Sequence, residues 1–196
     1  MELKKQCLEQ TLLIMSERGL KFTMSELAKQ LGMSKKTLYQ LFESKEALLT
    51  EVVDNSFATI KEAEKKILDD DSLDTLQKIK ALTIVLPDSY KTLNWQRMSE
   101  LADKYPKIYH QVQEALESDW ESTLALYQEA VQLGVIRETN LILLKAMIEA
   151  SIEHFLTSDI LSQHGIAYVE ALEGMMDIIL YGITNGKKAM QGGENG

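Results

Sequence analysis

Apolar residues recur at helical spacing along nearly the whole chain. Leu8, Leu12 and Met15 set a first helix over 3–18, and Gly19 stands where such a helix would end. Thr23 followed by Glu26 is a capping-box pair. It opens a second helix over about 24–31 whose inner face is Met24, Leu27, Ala28 and Leu31. Gly32 supplies a turn, Met33 points inward, and Ser34 caps a third helix carrying Leu38, Leu41 and Phe42 toward the core. A fourth helix begins at Ser44 and keeps its period through Leu48, Val52, Ile60 and Ile67, up to the acidic run 69–71. No Gly or Pro interrupts it, so the pattern predicts a long, stiff rod joining a head to a body.

Beyond the acidic run the pattern predicts helices over 73–86, ended by Pro87, and over 90–104, ended by Tyr105 and Pro106. A long helix over 107–133 closes at Gly134, and two more span 140–158 and 166–183. The expected fold is therefore all-α, with about nine helices and no strand. The Gly-rich tail 186–196 is expected to be disordered. In the last two helices, Lys145, Glu149 and Glu153 fall within roughly 80° of the circumference, and Glu170, Glu173 and Asp177 within roughly 60°. The remaining arcs are apolar and wide enough for two contacts. One contact is the subunit's own core. The other is most simply a second copy, forming a four-helix dimer interface from Leu144, Ile148, Ile152, Leu172, Met176, Ile179 and Ile183. A wholly internal position in a monomer is the alternative.

Charge changes the picture. The net charge is −9, which argues against a polyanion as partner. Residues 1–53, however, hold eight Lys/Arg and seven Asp/Glu, a net of +1, and the remainder holds thirteen and twenty-three, a net of −10. A near-neutral head with clustered lysines can still neutralise phosphates while an acidic body stays soluble. The lone Cys7 suits a reducing compartment, no signal-peptide core is present, and no apolar run approaches the ~18 residues of a membrane span. A cytoplasmic protein without a membrane role is the expectation.

Little in the body points to chemistry. His110, His154 and His164 stand apart without ligand-spaced neighbours, so neither a metal nor a cofactor is expected. No nucleophile motif, phosphate loop or dinucleotide fingerprint suggests an enzyme. His154 lies on an apolar arc, where a hydrogen-bonded core histidine is the expected reading. Trp95, Met98, Tyr109, Trp120, Tyr127, Met147, His154 and Phe155 are candidates to line a small-molecule pocket, although the same residues would serve an ordinary core.

The head is more specific. The second and third helices form a helix–turn–helix, and Lys35, Lys36, Thr37 and Gln40 lie at the leading end and outer face of the third. Lysine can donate to guanine and glutamine can pair with adenine in the major groove of double-stranded DNA. Thr23 and Ser34 combine capping with possible contact to phosphate. The run S-x-x-T-L-Y-x-x-F-x-S-K-E-A-L from Ser34 to Leu48, with Leu12, Gly19, Thr23, Leu27, Ala28 and Gly32, resembles the tetracycline-repressor (TetR) family of bacterial regulators. The resemblance implies a DNA-binding head over 1–50 and a ligand-binding, dimerising body over 51–185. It further implies a homodimeric repressor released from a palindromic operator by a small-molecule inducer, with Tyr39 and Lys45 on phosphates. Lys36 and Gln40 stand where many relatives carry Gly and His, so operator sequence does not carry over. The acidic body also suits a protein-interaction module or co-activator that kept the fold and lost DNA readout.

Overall fold

The computed structural model describes residues 2–91, 93–95, 99–118 and 120–184. The helices are α1 (Glu2–Arg18), α2 (Met24–Gln30), α3 (Lys35–Leu41), α4 (Lys45–Leu68), α5 (Thr75–Thr83), α6 (Ser99–Lys104), α7 (Pro106–Glu117), α8 (Glu121–Gln132), α9 (Leu141–Thr157), α10 (Ile160–Gln163) and α11 (Tyr168–Ile183). Three-residue 3-10 turns occupy Gly19–Lys21 and Asp88–Tyr90. Among the described residues there is no strand. An isolated antiparallel bridge joins Ile136 to Thr184, tying the loop before α9 to the end of α11.

The head forms as its sequence dictates. Thr23 Oγ1 accepts from the Glu26 amide at 3.2 Å, and the Glu26 carboxylate accepts from the Thr23 amide at 2.7 Å. Ser34 and Ser44 accept from the amides of Thr37 and Ala47, each at 3.0 Å. Each of these bonds satisfies a first-turn donor that the helix itself leaves orphaned. Gly32 turns the chain between α2 and α3 at φ +65°, in the left-handed region that favours glycine.

Two apolar cores result. The first joins Leu27, Leu38, Phe42, Leu48 and Leu49 of the head to Tyr90, Leu93, Leu101 and Ile108 of the body. The second packs Ile79, Tyr127, Ala130 and Ile136 against Leu144, Ile148, Met176 and Ile183. α4 runs out of the first core and packs on both α5 and α7, so head and body share one rod.

Three features depart from the expected pattern. The stretch 107–133 is two helices, because Ser118 leaves the helical region (ψ 167°) and the Trp120 indole donates to the Leu116 carbonyl at 3.0 Å. Within the stretch 90–104 the described α-helix is α6, Ser99–Lys104, and residues 92 and 96–98 lie outside the described residues. Before that helix, Trp95 packs edge-on to Tyr90, with 5.9 Å between ring centroids, and its indole donates to the Tyr90 carbonyl. The tail 186–196 lies outside the described residues.

The third departure concerns the dimer face expected on the last two helices. Leu144, Ile148, Leu172, Met176 and Ile183 are buried within the subunit, and Ile152 and Ile179 are half-buried. On both helices the charged sector borders the exposed face, and the core meets the opposite apolar arc. The outward stripe is instead Ile142, Leu143, Ala146, Met147 and Ala150 on α9, with Gly174, Ile178, Tyr181 and Gly182 on α11. Ile142, Ile178 and Tyr181 are 83%, 76% and 89% exposed. No helix among the described residues is long and apolar enough to cross a membrane.

Candidate nucleic-acid interface and interior cavity

α3 is short, and its sequence divides it cleanly. Leu38 is fully buried and Thr37 and Leu41 half-buried, whereas Lys35, Lys36, Tyr39 and Gln40 are exposed. At 100° per residue these four span an arc of roughly 140°. Lys35 Nζ lies 5.6 Å from the centre of the Tyr39 ring, so cation and aromatic form one surface. Thr37 Oγ1 is 2.8 Å from Ser34 Oγ, and both hydroxyls belong to the cap at the leading end of the helix. Thr23, exposed at the start of α2, uses its side chain in the capping box. Its bonds to Glu26, the backbone one foremost, hold that carboxyl below the usual range. The arrangement offers two cations, an amide and a phenol on one convex helix face, which is what a major groove edge and its flanking phosphates accept.

Lys45 has a role that the sequence pattern did not reveal. Its ammonium donates to the carbonyls of Leu20 and Phe22, both at 2.6 Å, and lies 4.0 Å from the centre of the Phe22 ring. Burial, followed by the nearby Lys104, pushes its pKa down. Two of its three N–H donors are therefore committed to the 3-10 turn between α1 and α2. The same turn is gripped from the body: Glu100 on α6 accepts from the Leu20 amide at 3.2 Å and pairs with Lys104 at 2.7 Å. Gly19 sits at φ +66°, and a Cβ there would overlap the Glu100 carboxylate. The Asn94 amide donates to Ser16 Oγ at 2.6 Å, a second tie between body and α1. No sequence signal joins Glu100 to a turn 80 positions away, because Gly19 is already accounted for as the left-handed end of α1.

Next to this junction the body encloses a cavity of about 180 Å³. Its walls come from α1, α4, α5, α6, α7, α8, α9 and α11 and from the 84–86 segment. Of the expected lining residues, Trp95, Tyr109 and Trp120 are present. Tyr127 is instead packed inside the second core, and its hydroxyl lies 3.4 Å from that of Thr83. Met147 and His154 are on the exposed outer side of α9, which corrects the expectation of a core histidine. Phe155 is half-buried and away from the cavity. Met98 lies outside the described residues. The sequence pattern missed the contribution of α4, whose Val52, Ser56, Phe57 and Ile60 continue the head's apolar stripe along one wall.

Residues 8–52 match the family model of bacterial regulatory proteins of the tetR family. Over 185 residues the chain is 32% identical to YvaF of Bacillus subtilis (strain 168), an uncharacterized HTH-type transcriptional regulator, covering 94% of this chain and 97% of that one. Among solved structures, a TetR-family regulator from Agrobacterium tumefaciens matches with a TM-score of 0.68 at 15% identity, covering 94% of this chain and 99% of that chain. FadR from Bacillus subtilis, solved in complex with stearoyl-CoA, matches with a TM-score of 0.62 at 18% identity, covering 93% and 98%. At these identities the structural likeness establishes the fold.

Proposed function

Because the chain belongs to the TetR family of bacterial transcriptional regulators, we propose that it represses transcription as a homodimer on a palindromic operator and is released when a small molecule enters the interior cavity. The observation that carries this reading is the exposed row of Lys35, Lys36, Tyr39 and Gln40 on a capped, rigidly backed helix. Lys36 and Gln40 serve as base readers, while Lys35 and Tyr39 contact the flanking backbone. Thr23, Ser34 and Thr37 present their helix starts to phosphate.

A single head reads half a symmetric site, so a second copy is required. The outward stripe on α9 and α11 supplies it. Five large apolar side chains, Ile142, Leu143, Met147, Ile178 and Tyr181, are exposed there beside Ala146, Ala150, Gly174 and Gly182, whose small size lets another helix approach closely. A contiguous exposed patch of this kind marks a protein interface.

Release follows from the junction at Glu100. Its neighbour Leu101 is fully buried and lines the cavity, so an occupant that displaces α6 also displaces the acceptor of the Leu20 amide. The 3-10 turn would then shift relative to the body, and two heads would no longer sit one DNA turn apart. Ile178→Asp tests the dimeric reading. With Ile178 76% exposed, the variant should keep its helical circular dichroism yet sediment as a monomer and lose palindrome binding. A variant that stays dimeric and binds as the parent does would contradict the assigned face.

A further inference from the structure

Resting on the reading that the cavity is the effector site, we infer that its occupant is an uncharged, mainly apolar molecule carrying one hydrogen-bond acceptor, which the Tyr168 hydroxyl engages. The wall chemistry leads there. Lys61 and Glu64 are the only charged residues lining the cavity among those described, and they pair with each other at 2.7 Å. The rest of the lining is overwhelmingly aliphatic and aromatic. An ionic ligand would leave water for walls that offer no uncommitted counter-charge.

The polar groups of the lining are mostly committed. Ser56, Thr83 and Ser118 donate to carbonyls of their own helices. The indoles of Trp95 and Trp120 donate to Tyr90 and Leu116, and Tyr109 donates to Glu153. Among the described residues, Thr123 and Tyr168 are the lining hydroxyls without a hydrogen bond. Tyr168 opens α11 with its ring 6.0 Å from that of Trp95, centroid to centroid. Burial pushes its phenol above the ordinary value, so it remains a protonated donor at any physiological pH. The hydroxyl has no acceptor among the described residues, and a ligand carbonyl or ether oxygen would supply one. Tyr168 thus fixes one polar point in an otherwise apolar volume, the pattern by which small-molecule sites gain orientation.

The chain's two tryptophans, Trp95 and Trp120, both line the cavity, so their emission reports occupancy directly. The probes are 2-nonanone, nonanoate, protonated nonylamine and 1-nonene, titrated into the full-length protein. The ketone should shift the emission saturably, with both charged analogues at least about tenfold weaker. Tyr168→Phe should weaken the ketone by about three- to tenfold, the worth of one hydrogen bond, and leave 1-nonene within about twofold. Three results would overturn the inference: a charged analogue binding as tightly as the ketone, equal weakening of ketone and alkene in Tyr168→Phe, or no emission change with the ketone. Operator release is measured separately on the same samples. Ketone binding that leaves the operator complex intact supports the ligand class and contradicts the effector reading beneath it.

Discussion

Lys45→Met separates a positioning role from a phosphate contact. Methionine keeps most of the stem against Phe22 but removes two charge-assisted hydrogen bonds at 2.6 Å and the cation over the ring at 4.0 Å. Bonds to charged groups contribute about 1.5–3 kcal/mol each, and an exposed cation–π contact about 0.5–1 kcal/mol. Opposing these, the ammonium loses hydration, as its lowered pKa records, and water can reach the freed carbonyls of a half-buried site. A net loss of about 2 kcal/mol follows, which in a protein of this size lowers Tm by about 4–8 °C. Calorimetry measures that loss, and operator affinity across a salt series measures the other role. If Lys45 clamps the turn, the slope of log K against log salt stays at the parent value. Lys35→Met should lower its magnitude by about 1.8, one lost phosphate contact of about 0.9 in each of the two copies. Parent Tm combined with a slope reduced by about 1.8 would refute the clamp and return Lys45 to the phosphate backbone.

Two glycines isolate the body's grip on the same turn. Gly19 and Gly32 share nearly the same φ, +66° and +65°, but only at Gly19 would a Cβ meet the Glu100 carboxylate. Gly32→Ala should lose about 1–2 kcal/mol for the left-handed backbone alone. Gly19→Ala should lose more in urea unfolding by about the worth of the displaced Glu100 bond, and Glu100→Ala should then cost less in that background than in the parent; equal losses at the two glycines would dismiss the contact. At the reader face, Gln40→Ala should relax preference at one base pair, worth about 1–3 kcal/mol, while leaving other positions unchanged. A uniform loss across all sequences would assign Gln40 to the backbone instead.

The head was legible because each of its turns is written locally. Thr23 with Glu26, Gly32, Ser34 and Ser44 act within four residues of themselves, and the structure places each where its chemistry requires. The body was legible only as helices. The break at Ser118 goes with an indole bond from Trp120 to a carbonyl four positions back, which leaves no Gly or Pro signature. The paired apolar arcs of α9 and α11 are real, yet their orientation was set by which side met Ile79, Tyr127 and Ile136, contacts of long sequence separation. Periodicity announced two faces, and the charged sector bordering one of them was the signal for which looked outward. The cavity followed the same rule: Trp95, Tyr109 and Trp120 were visible as aromatics, while Leu101, Ser56 and Tyr168 gained meaning only from their neighbours.

Under the proposed function, two copies of this chain read a symmetric DNA site through α3. Selection of bound duplexes from a random pool, with full-length protein at low salt, tests it most directly. A palindrome whose half-sites lie about one helical turn apart, about 34–36 Å, should be enriched. Gln40→Ala should alter one position in each half-site and Lys35→Met none. A folded, dimeric protein that enriches no sequence, or enriches one without two-fold symmetry, would contradict it.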